Sequence, residues 1–83
     1  MPRPTSWAME WHEEIDAIGL LCPLPVLKAR KRLKGMEAGQ ILRLVATDPA
    51  AVVDVPHFCF ESGNELVSQT DEGETQIYLI RKT

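Results

Sequence analysis

Two prolines, Pro23 and Pro25, standing directly behind a cysteine constrain this chain more than any other feature of its sequence. Inside a helix a proline loses a hydrogen bond and clashes with the preceding turn, but in the first turn its missing N–H has no partner to lose and its fixed φ is already helical. Pro23 therefore reads as the first helical residue and Cys22 as the N-cap, with Pro25 at the third position and the Leu24 N–H left free to face the sulfur. Gly19 ends a short strand expected over 13–17. The segment 16–27 thus turns a strand into a helix and seats a thiol at the turn.

That seat has chemical consequences. Aligned peptide dipoles favour an anion at a helix N-terminus by about 0.3–1 kcal/mol, and cysteines placed there ionise with pKa values of roughly 3.5–7.5 instead of ~8.5. Lys28, Arg30, Lys31, Arg32 and Lys34 follow with no acid before Glu37, although they lie a turn or more from the sulfur and are screened by salt. Dipole and charge together predict a lowered thiol pKa. A free cysteine is most often just a small buried residue; the flanking prolines argue for chemistry instead.

Eighty-three residues provide for one domain with one sheet and about two helices, a size at which only ~60% of the unfolded surface is buried. Hydrophobic residues at 45% and charged ones at 25% are ordinary globular values, with no repeat or low-complexity tract. The two cysteines, Cys22 and Cys59, are too far apart for a CxxC pair and too few for a disulfide framework, which fits a reducing, cytoplasmic setting. Residues 1–12 hold one Arg and no apolar run, so neither a signal peptide nor a membrane span is expected. Net charge is −3, yet residues 22–35 hold five of the nine Lys and Arg and none of the twelve acids. Such a balance argues against a general nucleic-acid binder while leaving open an acidic partner docked on the first helix.

Along the chain, residues 1–11 read as a flexible leader whose Trp7 and Trp11 pack against the domain, and 12–83 as the domain itself. The first helix is expected over 22–34, with Val26, Ala29, Leu33 and Met36 on its core face and Gly35 and Gly39 as its stop. Residues 40–47 alternate as a strand covered on both faces. Asp48-Pro49 repeats the cap-plus-proline signal. Because Pro56 would clash with a continuous helix, the expectation is a turn from Pro49 and then a short helix starting near Asp54, with Val55, Phe58, Cys59 and Ser62 inward and Gly63 as stop. Two strands, 64–70 and 74–82, flank a hairpin turn at 71–73. The order βαβαββ predicts an α+β fold: a two-layer α/β sandwich with a small mixed four-stranded sheet and both helices on one face. The helix starts then lie at the carboxyl ends of their strands, the usual ligand edge of open α/β sheets, making Cys22 and Asp48 neighbours.

These segments resemble the TusA/SirA family of small sulfur-carrier proteins. Asp-Ala-x-Gly-Leu-x-Cys-Pro-x-Pro-Val-Leu-Lys stands at 16–28, Thr-Asp-Pro-Ala at 47–50, Asp-Val-Pro-x-Phe-Cys at 54–59 and Gly-x-Glu-Leu at 63–66. The resemblance implies a fold like the C-terminal domain of translation initiation factor three. It also implies sulfur relay: Cys22 accepts sulfur as a persulfide from a PLP-dependent cysteine desulfurase and hands it to a downstream relay protein. The best-known destination is 2-thiolation of wobble uridine in tRNA; some relatives serve sulfur oxidation or molybdenum-cofactor pathways. Gly19, Pro23, Leu24 and Pro25 are the motif residues around the thiol. No cofactor is implied on this chain, since PLP belongs to the donor, and the carrier acts as a co-substrate without autonomous turnover. The chain departs from the resemblance at Asn64, where many relatives have His, and at Val53, near which Arg or Lys is common.

Other residues carry smaller expectations. Asp48 is a helix N-cap and a neighbour of the thiol. Lys28 and Lys31, on one face with Leu24, and an outward Phe60 are candidates for partner docking. Cys59 is expected in the core. With His57 outward and Cys59 inward on one helix the two cannot share an ion, so no metal site is expected. The competing reading is an RNA-binding or regulatory module that uses the basic first helix, resting on fold analogy alone.

Overall fold

The computed structural model describes residues 11–83. Its elements are β1 (Glu13–Ala17), α1 (Leu24–Lys34), β2 (Ile41–Ala46), α2 (Ala51–Ser62), β3 (Glu65–Glu72) and β4 (Thr75–Arg81). One four-stranded sheet runs in the order β1-β2-β4-β3. β1 and β2 are parallel and the other pairs antiparallel, which is the mixed α+β sandwich expected from the sequence.

Side chains alternate across each strand, so one face of the sheet collects Ile15, Ala17, Leu42, Leu44, Ala46, Tyr78 and Ile80. These residues form a single buried cluster with Ala29, Leu33 and Met36 at α1 and with Ala51, Val55, Phe58 and Cys59 of α2. Both helices therefore cover the same face. Val26, expected in this set, is only partly buried; Pro25 is buried in the first turn instead. On the other face, Ile41, Val45 and Leu79 are also buried. There the Arg43 guanidinium lies 4.9 Å from the Trp11 ring, so Trp11 packs against the domain; Trp7 falls outside the described residues. His12 ties the same end to β2, its N–H donating to the Ile41 carbonyl at 2.8 Å and its Nδ1 accepting the Ile41 N–H at 3.0 Å.

Two boundaries differ from expectation. The helix expected near Asp54 begins at Ala51 and runs through Pro56. Its first turn is already closed by bonds from Ala51 N–H to the Asp48 carbonyl and from Val53 and Asp54 N–H to Ala50. Pro56 then costs one i→i−4 bond, to the carbonyl of solvent-facing Val52. Ser62, expected inward, is exposed. In the hairpin, β3 continues to Glu72, which pairs with Thr75. The turn is the two-residue Gly73–Glu74, with Gly73 at φ +75°.

Candidate functional site

Parallel pairing of β1 with β2 sets Ala17 opposite Ala46, so both strands end level and both chains turn over the same edge. Hydrogen bonds stitch the two turns together. The Gly19 N–H donates to Thr47 Oγ1 at 2.9 Å, and the Cys22 N–H donates to Asp48 Oδ2 at 2.6 Å. Asp48 is 6% exposed, and its Oδ1 accepts the Ala50 N–H at 3.1 Å. One buried carboxylate thereby holds the thiol-bearing residue to the start of α2. The N-cap position of α2 is Ala50, with no side-chain cap, so Asp48 acts from two residues before the N-cap.

The local frame of Cys22 also differs from expectation. Pro23, not Cys22, occupies the N-cap of α1, with Leu24 first and Pro25 second in the helix. The Cys22–Pro23 peptide is cis. The Leu24 N–H donates to the Leu21 carbonyl at 2.8 Å and does not face the sulfur. Cys22 is exposed, one residue before the N-cap and two before the first residue of α1.

Its surroundings are acidic. The Asp54 carboxylate, an acceptor for the thiol, raises the Cys22 pKa above its ordinary value; desolvation and the charges of Asp54 and Asp48 act in the same direction. The lowered pKa expected from dipole and lysines is thus reversed. The causes acting on the sulfur are desolvation and the carboxylates of Asp54 and Asp48, with no cation of α1 among them. Arg30 lies 5.2 Å from the Phe58 ring centroid, and Arg32 pairs with Glu13 at 2.8 Å.

Cys22 opens onto a shallow groove of about 220 Å³ between the helices, lined by Pro23, Val26, Arg30, Asp54, His57, Phe58 and Glu61. His57 Nε2 lies 3.3 Å from Glu61 Oε2. Asp54 escaped the sequence reading because a helix thought to begin there hid its side-facing position. A helix begun at Ala51 turns Asp54, His57 and Glu61 along one side, at i, i+3 and i+7. Cys59 is buried at 2% exposure, and burial pushes its thiol up to about 11. Among the described residues no group of three or more His, Cys, Asp or Glu is placed to hold a metal.

Of the expected docking residues, Phe60 is 86% exposed on α2. Lys28 and Lys31 are exposed on α1 and line a separate groove of about 400 Å³ with Glu13, Ile15, Arg32, Gly35 and Met36. That groove follows β1 and does not include Cys22. No helix among the described residues is long and apolar enough to cross a membrane.

Fold and site together define a small α+β protein that presents one exposed thiol where two helices begin. The family described as sulfurtransferase TusA matches residues 13–82, and the chain belongs to it. A sulfur carrier protein TusA from Allochromatium vinosum is 45% identical over 74 residues, 89% of this chain and 97% of the relative. One from Pseudomonas syringae pv. syringae is 44% identical over 69 residues, 83% of this chain and 82% of that one. In fold, the chain is similar to the crystal structure of a SirA-like protein from Desulfitobacterium hafniense, with a TM-score of 0.74 and 22% identity over 84% of this chain and 96% of that one.

Proposed function

We propose that this protein is a sulfur carrier that cycles between thiol and persulfide at Cys22. The observation that carries the reading is the exposed Cys22 thiol at the shared helix edge, in a chain of the TusA family. The buried Cys59 offers no accessible alternative.

Loading is an exchange in which atoms balance. Cys22 sulfur attacks the terminal sulfur of a donor persulfide, a new S–S bond forms, the donor S–S bond breaks, and the donor leaves as a thiol that takes up the proton Cys22 gave. Because neighbouring carboxylates raise the Cys22 pKa, the free carrier is mostly thiol at neutral pH. The minor thiolate is the more nucleophilic for its basicity, which offsets part of its scarcity. A persulfide is more acidic than a thiol, so the loaded carrier ionises more readily than the empty one. The donor we assign is a PLP-dependent cysteine desulfurase, with PLP on the donor and no cofactor here. The route we assign is relay through a further protein to 2-thiolation of wobble uridine in tRNA, supported by family membership. Two free cysteines suit the reducing cytoplasm.

Intact mass after incubation with a desulfurase, PLP and cysteine tests the reading. Wild type is expected to gain one sulfur atom that a reductant removes, and Cys22→Ser to gain none. A gain that survives Cys22→Ser would place the sulfur elsewhere and end the assignment.

A further inference from the structure

Four charged or titratable side chains line the groove onto which Cys22 opens: Arg30 of α1 and Asp54, His57 and Glu61 of α2. Three of them are engaged with one another or with the core. The Arg30 guanidinium lies 5.2 Å from the Phe58 ring centroid, and His57 Nε2 lies 3.3 Å from Glu61 Oε2. Asp48, the other carboxylate acting on the sulfur, accepts the Cys22 N–H with one oxygen and the Ala50 N–H with the other. Asp54 differs from all of these. Among the described residues its half-buried carboxylate joins no ion pair, although Arg30 lines the same groove, and its side-chain partner is the Cys22 thiol, whose S–H it accepts.

An acid in the first turn of a helix stabilises it through the dipole and needs no further role. Beside a thiol that must react, the same carboxylate has two opposed effects. Its charge holds the proton on the sulfur, so the free carrier at neutral pH is mostly in the less reactive form. Its oxygen, already bonded to that proton, is also in place to take it when the sulfur begins to form a new bond.

We propose that Asp54 is the catalytic base of sulfur loading: it takes the Cys22 proton as the sulfur attacks and passes it to the departing donor thiolate. The proposal rests on the carrier reading above. A lone pair of the Cys22 sulfur forms the new S–S bond to the donor's terminal sulfur, and the electrons of the broken donor S–S bond leave on the donor sulfur. The Cys22 sulfur is thereby oxidised and the donor sulfur reduced by the same two electrons. The proton crosses from Cys22 to Asp54 as one bond forms and from Asp54 to the donor sulfur as the other breaks, so Asp54 ends ionised, as it began. No cofactor or outside oxidant enters.

The experiment follows single-turnover loading by cysteine persulfide, read by intact mass at pH 6, 7 and 8, for wild type, Asp54→Asn and Asp54→Glu. Each variant is taken as a ratio to wild type, which cancels the donor's own titration; the charges of Arg30, Asp48, His57 and Glu61 enter both rates. Through Asp54 the wild type reacts from its thiol, whereas Asp54→Asn must react from its thiolate, whose share rises roughly tenfold per pH unit below the thiol midpoint. Asp54→Asn is therefore expected to load at least ~10-fold more slowly than wild type at pH 6, with the ratio moving roughly tenfold per pH unit in the variant's favour. Asp54→Glu keeps the base, and its ratio to wild type is expected not to change with pH. A role through charge alone requires the opposite, since Asp54→Asn would then load faster than wild type by a factor that is constant with pH; that result overturns the proposal and leaves the carrier reading standing. Alkylation by iodoacetamide releases iodide, which needs no proton. Slower alkylation of Asp54→Asn alongside slower loading would mean a displaced Cys22 and also overturns the proposal. Wild type that gains no sulfur from cysteine persulfide removes the carrier reading and the proposal together.

Discussion

The thiol of Cys22 is governed by two aspartates that do different work. Asp54 faces the sulfur and disfavours its ionisation, while Asp48 spends its oxygens on the backbone N–H groups of Cys22 and Ala50. Removing the Asp54 charge takes away the largest cause that raises the thiol pKa, so the pKa of Cys22 in Asp54→Asn is expected to fall. The thiolate fraction at neutral pH then rises, and so does the rate of alkylation by iodoacetamide; a pH profile of that rate, with its midpoint unmoved, would refute the assignment. Asp48→Ala is expected to act mainly on stability. It leaves two backbone donors without their acceptor at a part-buried site, at a cost of about 1–3 kcal/mol in urea unfolding, with a smaller downward movement of the same midpoint. A variant that shifts the midpoint as far as Asp54→Asn would show that Asp48 acts on the sulfur as strongly as on the loops.

At the scale of elements, α2 is held between a proline it tolerates and a glycine it requires. Gly63 ends the helix at φ +81° with open space where a Cβ would go. Gly63→Ala therefore meets no clash and costs only the left-handed backbone, about 1–2 kcal/mol by equilibrium unfolding. Pro56 works the other way. Alanine there restores an N–H for the Val52 carbonyl and a better helix former, opposed by the greater freedom of the unfolded chain, for an expected gain of about 1–2 kcal/mol. Punctuation made most of these elements readable: Gly19 and the proline pair bracket the β1–α1 turn, and Gly63 marks the end of α2. The same rule misled at Pro56, because a local signal cannot weigh a helix already nucleated from Asp48-Pro49-Ala50 and anchored by buried Val55, Phe58 and Cys59. The misplaced start hid Asp54, and with it the sign of the Cys22 pKa shift. Charges close in sequence to Cys22 were visible; those brought near by packing were not.

For the whole molecule, strand order and the shared edge followed from the alternation of elements, and the meeting of Cys22 with Asp48 followed from them. The energetics of the interior depended on which titratable groups the core encloses, which only the packed chain reveals. Two of them must stay neutral: burial pushes Cys59 up to about 11 and Tyr78 up to about 12, the latter helped by Asp71 and Asp48. An unfolded thiol releases its proton near ~8.5 and an unfolded phenol near ~10. Between about pH 9 and 11 the unfolded chain has therefore lost the Cys59 proton that the folded chain keeps, and from about pH 10 to 12 the same holds for Tyr78. The unfolded state then binds fewer protons, so stability falls as pH rises and is full below these windows. The melting temperature is expected to be flat from about pH 7 to 8.5 and to drop above about pH 9. Cys59→Ala should melt lower at neutral pH, because deleting a buried sulfur leaves a small void costing about 1 kcal/mol. Its decline between about pH 9 and 11 should nevertheless be shallower than that of wild type, so that the two curves converge. Tyr78→Phe should flatten the decline only above about pH 10, and should also leave the Gln76 oxygen, which accepts the Tyr78 hydroxyl at 2.7 Å, without that donor. Curves that descend in parallel for wild type and Cys59→Ala would mean that the Cys59 thiol titrates alike in the folded and unfolded chain, contrary to its burial.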